Sequence, residues 1–178
     1  MSFAIDFVRG GCSAQARHAS PLGSILLART PRGLAGAWFE GQKHHPPTFD
    51  APTNPDDPLL RTAIQQLAEY FAGSRSRFDV ALDAAGTPFQ RAVWAVLADV
   101  EPGRTCSYAE VARRVGRPSA VRAVAAAIGR NPLSIIVPCH RVVGSDGALT
   151  GYAGGIDRKT ALLALERQRF GEDGGRAS

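Results

Sequence analysis

The chain has 178 residues, 44% of them hydrophobic, and a formal net charge of +5. That length and composition suit one or two small domains with a buried core, as in an ordinary soluble protein. They exclude a membrane-spanning chain, because no stretch approaches the roughly 18 consecutive apolar residues of a span. The first residues, MSFAIDFVRGG, also lack the basic start and apolar run of a signal peptide, so we expect a cytoplasmic protein.

The cysteines and histidines argue against a disulfide framework and against a metal site. Three cysteines stand far apart in the sequence without a CxxC pair, so we expect free thiols in a reducing compartment. A zinc site built from Cys12, His18 and the adjacent His44 and His45 is conceivable, but its spacing is not that of a structural zinc site. We therefore expect no metal and take Cys12 and Cys106 as structural or incidental.

Positive charge is concentrated in the second half of the chain. Residues 1–84 contain 8 Lys or Arg and 8 Asp or Glu, whereas residues 85–178 contain 13 and 8. Between Arg104 and Arg141, seven arginines stand against Glu110 alone. A polyanion is the natural partner of such a segment, and a merely solvated basic face is the alternative.

The first half predicts a small antiparallel sheet and one helix. Short apolar runs separated by turns predict strands over residues 3–8, 24–28 and 34–39, followed by a proline-rich loop over residues 44–58. Pro58 opens a helix that ends at Gly73, and residues 78–82 alternate as a further strand. The apolar face of the helix comprises Leu60, Ala63, Ile64, Leu67 and Phe71.

The second half begins at a boundary near residues 84–86. Thr87 and Pro88 form an N-cap and N1 pair for a helix whose buried side holds Phe89, Val93, Trp94, Val96 and Leu97. The predicted domains are residues 1–84, a support domain, and residues 85–170, with a flexible tail over residues 171–178.

The most legible local signal is a helix-turn-helix. Ser107 to Glu110 reads as a capping box that opens a short helix with Val111, Ala112 and Val115 on its apolar side, and Gly116-Arg117-Pro118 breaks that helix. Ser119 should cap a second helix over residues 120–128, which Gly129 and the Asn131-Pro132 pair end.

The outer face of the second helix is predicted to carry mostly small side chains. Val121, Val124 and Ile128 should face inward, leaving Arg122, Ala123, Ala126, Ala127 and Arg130 towards solvent. Small side chains permit a close approach to a nucleic-acid backbone, and an arginine among alanines could enter the duplex. An alanine-rich packing helix with two solvated arginines is the alternative.

Residues 135–143 read IIVPCHRVV and carry the strongest candidate nucleophile. Three β-branched residues favour a strand that ends at Pro138, with Cys139 at its terminus beside His140. The thiol and the imidazole can cooperate if the backbone turns sharply or a water bridges them. A small buried core cysteine is the alternative reading.

Downstream of the cysteine, residues 144–147 predict a turn and residues 149–155 a glycine-rich loop that could wall a pocket for a planar ligand. Asp157 should cap a last helix with Leu162 and Leu165 buried. Glu166 lies at the edge of that apolar stripe and needs a partner, which His140 or an arginine could supply. An exposed, snorkelling Glu166 is the alternative.

Taken together, these segments resemble the O6-alkylguanine-DNA alkyltransferases. The motifs that carry the resemblance are FQRAVW, SYAEVA, RPSAVRAVAAAIGRNP, IIVPCHRVV, GYAGG and LLALE, in the family's order, with the weaker WFEGQKH in the first half. The resemblance spans residues 21–166. It implies an α/β N-terminal domain of ribonuclease H-like type, a small antiparallel sheet with a helix, and a mostly α C-terminal domain with a winged-helix-like helix-turn-helix.

The resemblance also implies a role for each matching residue. Cys139 corresponds to the alkyl acceptor, His140 to the base that deprotonates it through a water, Glu166 to the carboxylate that orients this histidine, and Asn131 to the residue that holds the cysteine turn. Arg122 matches the finger that fills the gap left by the flipped nucleotide, and Tyr108 the tyrosine that crowds the 3′ phosphate. Val142, Tyr152 and Ala153 match the guanine pocket, although some members carry serine at Ala153, so only a backbone contact transfers there. The expected DNA contacts are Arg122, Ala123, Ala126, Ala127, Arg130, Ser107 and Arg117.

The implied activity is direct reversal of DNA alkylation. O6-alkylguanine would be flipped out of duplex DNA, and its alkyl group would pass irreversibly to Cys139, once per protein and with no cofactor. We expect a monomer that could assemble cooperatively on DNA, with O4-alkylthymine as a second candidate lesion. The alternatives are a non-catalytic alkyltransferase-like lesion binder, which would lack the thiol, and a helix-turn-helix regulator, which would leave IIVPCHRVV unexplained.

Overall fold

The computed structural model describes residues 11–48 and 50–171. These residues fall into two compact units, one within Met1–Gly86 together with Pro132–Ile136, and the other within Thr87–Asn131 and Val137–Ser178. The predicted strand over residues 3–8 and all of the predicted tail except Gly171 lie outside the described residues. The domain limits drawn from the sequence remain predictions.

A three-stranded antiparallel sheet forms the centre of the first unit. Its strands are β1 (Ala14–Ser20), β2 (Gly23–Thr30) and β3 (Gly33–Phe39), in the order β1-β2-β3, joined by two-residue turns. Strand β1 was not predicted, because its buried positions, Ala14 and Ala16, are small and have weak strand propensity. The pairing of Ser20 with Gly23 across the tight turn supplies the register that this strand's own composition does not specify.

One helix, α1 (Pro58–Ala72), packs against all three strands. Asp57 caps it by accepting hydrogen bonds from Leu59 N and Leu60 N, and Gly73 ends it in the left-handed conformation at φ 76°. This confirms the predicted helix, although its buried face runs through Tyr70 and leaves Ile64 and Phe71 half-buried.

The predicted strand over residues 78–82 is wrong. Only Leu82 forms a bridge, to Leu34, and the preceding backbone is held by a side chain instead of a neighbouring strand. Asp79 N donates to Gln66 Oε1 at 2.8 Å, and Gln66 Nε2 donates to Asp79 O at 3.0 Å. Because both backbone groups of Asp79 are engaged by α1, they cannot take part in a ladder.

The predicted strand before Pro138 is also wrong. Pro132–Ile136 lies along β3 through a single bridge, in which Ala37 N donates to Pro132 O at 2.8 Å and Ser134 N donates to Ala37 O at 2.9 Å. The chain then turns, with Ile135 in the left-handed region at φ 71° and only 1% exposed. Burial of the isoleucine side chain overrides both its strand propensity and its usual backbone conformation.

The second unit is mostly helical. Its elements are α2 (Pro88–Ala98), β4 (Cys106–Ser107), α3 (Tyr108–Arg114), α4 (Val121–Gly129), a 3-10 helix (Cys139–Arg141), β5 (Val142–Val143) and α5 (Ile156–Phe170). Strands β4 and β5 pair in parallel, and α2, α3 and α4 pack on one another. The predicted fold class, an α/β unit followed by a mostly helical unit with a helix-turn-helix, is confirmed. No helix among residues 11–48 and 50–171 is long and apolar enough to cross a membrane.

The helix starts in this unit were predicted unevenly. Thr87 caps α2 with the complete capping box, and Ser107 caps α3 by accepting from Glu110 N at 3.1 Å, while the Glu110 carboxylate pairs with Arg114 instead. Ser119 does not cap α4, because it lies inside the turn that Ala120 N closes on Arg117 O at 2.9 Å. Asp157 does not cap α5 either; the N-cap is Gly155, and Asp157 lies in the first turn. In α5, Leu163 is buried beside Leu162, whereas Leu165 is half-buried.

Thr87, which caps a helix, and Ser119, which does not, give a matched stability test. Thr87→Ala removes a side-chain cap and should lower the free energy of unfolding by about 1 kcal/mol. Ser119→Ala removes a hydroxyl that caps nothing and should stay within about 0.5 kcal/mol of the parent. Urea unfolding followed by circular dichroism measures both, and equal losses in the two variants would contradict the capping assignment.

Candidate active site

Cys139 opens the 3-10 helix, so the thiol emerges from a tight turn and not from the end of a strand. The residue is only 5% exposed. Asn131 Nδ2 donates to Cys139 Sγ at 3.1 Å and to Val137 O at 2.8 Å, so one amide group holds both the sulfur and the backbone leading to it. Burial raises the pKa of the Cys139 thiol, while the Asn131 hydrogen bond and the Lys159 charge act in the opposite direction.

His140 and Glu166 form a fully buried pair. His140 Nε2 lies 2.8 Å from Glu166 Oε1, and both side chains have no exposed surface. Because an ionised carboxylate can only accept, Nε2 carries the hydrogen in this contact and Nδ1 remains as the basic nitrogen. Within the described residues no hydrogen bond engages Nδ1. Burial lowers the pKa of His140, and the hydrogen bond and negative charge of Glu166 partly oppose that shift.

Glu166 has a second partner in Arg141. Arg141 Nε donates to Glu166 Oε2 at 2.9 Å and to Oε1 at 3.2 Å, and Nη2 donates to Oε1 at 2.8 Å, so the guanidinium fork engages both carboxylate oxygens. Arg141 Nη1 also donates to Val100 O, and Gly103 N donates to Glu166 Oε2 at 3.2 Å. Burial alone would raise the pKa of Glu166, but His140 and Arg141 together hold it well below its usual range. Both partners considered from the sequence, the histidine and an arginine, are therefore present.

Lys159 was missed by the sequence analysis. Its side chain is fully buried, and Nζ donates to Val142 O at 2.6 Å, Thr150 O at 2.8 Å and Gly151 O at 3.4 Å. Burial lowers the pKa of Lys159, and negative charge on Cys139 raises it. The signal was available, because Lys159 stands three and seven residues before Leu162 and Glu166, on the buried stripe of α5.

The glycine-rich loop over residues 149–155 is fastened from two sides. Tyr108 Oη donates to Thr150 O at 3.1 Å and Gly151 O at 3.2 Å, the same carbonyls that Lys159 binds. The Tyr152 ring meets the His140 ring edge-on, with centroids 6.5 Å apart. Val142 is buried and Ala153 half-buried. A Cβ at Gly154 would lie 2.5 Å from the Tyr152 ring, so a larger residue there would force the ring to shift.

Most of the predicted DNA contacts lie on the surface of the helix-turn-helix. Arg117, Arg122, Ala123, Ala126 and Arg130 are exposed, and Ser107 is half-buried at the start of α3. Ala127, predicted to face solvent, is only 3% exposed. Its carbonyl accepts a 2.9 Å hydrogen bond from Trp94 Nε1 on α2, because the indole needs a partner in the core.

Comparisons with known proteins agree over both halves of the chain. The family models described as 6-O-methylguanine DNA methyltransferase, ribonuclease-like domain and DNA binding domain match residues 16–84 and 88–168. The methylated-DNA--protein-cysteine methyltransferase of Mycobacterium tuberculosis (strain H37Rv) is 46% identical over 154 residues, covering 86% of this chain and 92% of that relative. The Methanosarcina barkeri protein of the same name is 47% identical over 152 residues, covering 85% and 95%.

A solved structure gives the same answer. The Mycobacterium tuberculosis protein OGT, crystallised in complex with DNA, superposes with a TM-score of 0.79 at 44% identity and covers 90% of this chain and 96% of its own. Family models match most of the chain, and the chain covers nearly the whole length of these relatives, so the family is established. The chain belongs to the 6-O-methylguanine DNA methyltransferase family.

Proposed function

We propose that this protein repairs duplex DNA directly, by moving the alkyl group of O6-alkylguanine onto Sγ of Cys139. The observation that carries the proposal is a buried thiol that accepts a hydrogen bond from Asn131 at 3.1 Å. The next residue is His140, and Nε2 of its imidazole ring is hydrogen-bonded to the ionised carboxylate of Glu166, which leaves Nδ1 as the basic nitrogen. This is the arrangement that activates a cysteine nucleophile.

His140 acts as the base of the reaction. Its Nδ1 takes the thiol proton, through a bridging water, while Nε2–H stays on Glu166 and the carboxylate stabilises the imidazolium. Sγ then attacks the alkyl carbon, the bond from that carbon to O6 breaks, and a carbon–sulfur bond forms. The departing guanine takes up one proton, which balances the proton lost by the thiol.

The product is a thioether, which limits the protein to one reaction. Unlike an acyl-enzyme, a thioether has no leaving group that water can displace, so Cys139 is not regenerated. The reaction needs no metal and no nucleotide cofactor, because the nucleophile, base and orienting carboxylate all come from the chain.

Access to a lesion in the base stack requires the nucleotide to leave the duplex. The exposed alanines of α4 allow the helix to approach the DNA backbone closely, and Arg122 fills the gap left by the flipped nucleotide. Tyr108 crowds the 3′ phosphate, and Ser107, Arg117, Ala123, Ala126 and Arg130 supply further DNA contacts. The buried position of Ala127 is consistent with a role in packing α4 instead of a contact through its side chain.

The guanine pocket is formed by Val142, Tyr152 and the backbone of Ala153. The protein acts in the cytoplasm as a monomer that can assemble cooperatively along DNA, and O4-alkylthymine is a second candidate lesion in the same pocket.

Mass spectrometry tests the acceptor. After incubation with a duplex oligonucleotide containing O6-methylguanine, the peptide carrying Cys139 should gain one methyl group, with a yield that never exceeds one per protein. Cys139→Ser should abolish transfer and leave DNA binding nearly intact. The control is Cys12→Ala, since burial and Asp83 raise the pKa of Cys12 to about 11 and leave that thiol protonated. An unmodified wild-type protein that still binds the lesion would indicate a lesion binder instead.

Arg122→Ala tests nucleotide flipping. We expect the single-turnover rate on duplex DNA to fall about tenfold or more, because unstacking costs a few kcal/mol that the finger no longer offsets. The rate on a single-stranded oligonucleotide should change little. Arg61→Ala, which removes an exposed charge from α1, is the matched control. Equal losses on both substrates would show that Arg122 is an ordinary phosphate contact.

Asn131→Ala tests the hydrogen bond to sulfur. Hydrogen bonds to charged groups contribute about 1.5–3 kcal/mol, so transfer should slow by about tenfold to a hundredfold. Since the lost donor would have favoured the thiolate, the pKa of Cys139 rises further and the pH–rate curve should move to higher pH. Transfer rates are measured from pH 6 to 9 on a variant with a native circular dichroism spectrum. A pH–rate curve identical to that of the wild-type protein would contradict a role of the Asn131 hydrogen bond in stabilising the Cys139 thiolate.

A further inference from the structure

Arg141 is a charged side chain bound to Glu166 to which the proposed mechanism gives no part. Its side chain is 6% exposed, and its fork meets a carboxylate with no exposed surface. A buried guanidinium and carboxylate are costly to desolvate, and both charges persist only because they are paired. The pair therefore influences the protonation state of the neighbouring His140 imidazole.

We propose that Arg141 is a positioning residue that keeps Glu166 ionised and His140 neutral, so that His140 is free to accept the thiol proton. This inference rests on the proposed function, because it gives the base of that reaction its resting state. Arg141 acts through Glu166 and touches neither substrate nor sulfur in the proposed mechanism.

The charges facing His140 support this assignment. Glu166 and Lys159 face it from α5, Cys139 and Arg141 belong to its own 3-10 helix, and the Tyr152 ring meets it from the loop. The forked pair of Arg141 and Glu166 has no net charge, so the carboxylate does not require a second cation. Lys159 adds a positive charge that further disfavours an imidazolium.

Without the guanidinium, one buried negative charge would remain beside an imidazole at 2.8 Å. The nearest way to neutralise it is a proton on His140, which would form an imidazolium–carboxylate pair. In that state Nδ1 already carries a hydrogen, and the thiol proton has no acceptor. Arg141 therefore determines whether His140 is neutral or already protonated when the reaction starts.

Three variants separate charge from packing. Arg141→Gln removes the charge but can still donate hydrogen bonds, Arg141→Lys retains the charge, and Arg61→Gln lowers the net charge equally at an exposed site on α1. In Arg141→Gln the pH of half-maximal transfer rate should rise by about one unit or more, which is about tenfold in rate below that pH. Arg141→Lys should recover most of the wild-type curve, and Arg61→Gln should match it.

The second readout does not depend on alkyl transfer. In protein labelled with 15N-histidine, the His140 signal, identified by its loss in His140→Gln, should show neutral imidazole with hydrogen on Nε2 from pH 6 to 8. In Arg141→Gln the same signal should titrate to imidazolium within that range. A His140 cation in the wild-type protein, or identical behaviour of the Gln and Lys variants, would overturn the inference.

The two readouts also separate this inference from the function beneath it. If the wild-type protein transfers no alkyl group, the proposed function fails, while the imidazole spectra still decide the role of Arg141. If Arg141→Gln does not fold, the wild-type and Arg141→Lys spectra carry the decision: neutral His140 in both supports the inference, and a cation in either contradicts it.

Discussion

The buried carboxylate of Glu166 is the interaction on which the second unit depends. An ionised group with no exposed surface costs several kcal/mol unless it is paired and hydrogen-bonded. Its partners come from the 3-10 helix, through His140 and Arg141, and from the loop after α2, through Gly103. One acid on α5 thereby fixes the orientation of the imidazole beside the thiol, and moving the 3-10 helix away would leave the buried charge of Glu166 unpaired.

Lys159 is a second buried charge on α5, and its hydrogen bonds hold the glycine-rich loop. It lies two turns before Glu166 on α5, and its ammonium group donates to Val142 O on β5 and to Thr150 O and Gly151 O in the glycine-rich loop. Tyr108, the first residue of α3, donates to two of those carbonyls. If Tyr108 meets a DNA phosphate as we propose, that contact and the loop share one hydroxyl group. The helix that receives DNA and the loop that receives the base are then linked through Thr150 O and Gly151 O.

The sequence predicted the features that local chemistry specifies. The helix starts at Thr87 and Ser107 follow from side-chain hydrogen bonds to nearby amides, and Cys139, His140 and Glu166 stand out because ionisable or nucleophilic residues interrupt apolar patterns. Features that depend on distant partners were not predictable in this way. Ala127 was predicted to face solvent, but it is buried, and its backbone carbonyl accepts a hydrogen bond from Trp94 on α2.

The segment before Cys139 shows the same limit more clearly. Its β-branched residues favour a strand, yet Ile135 adopts a left-handed conformation and is buried, just after Ala37 on β3 has bound the backbone of Pro132 and Ser134. The burial of Lys159 and Arg141 was not predicted for a related reason, although an arginine was considered as a partner of Glu166. A long charged side chain is usually exposed, and only the carbonyls and carboxylate gathered by the fold make its burial favourable.

Burial of Cys139 fits the single, irreversible transfer that we propose for it. A repeating enzyme must readmit water or a second substrate to its nucleophile, whereas a thiol consumed in a single transfer needs protection until its lesion arrives. At 5% exposure and with a raised pKa, Cys139 is mostly protonated and shielded from soluble electrophiles and oxidants. In the proposed mechanism a neutral His140 is the proton acceptor and the Asn131 amide is a donor to sulfur, and neither creates a standing thiolate. In that mechanism the thiolate is favoured only as it forms against a positioned alkyl group, which would select for the lesion over the weaker electrophiles that a free thiolate would meet.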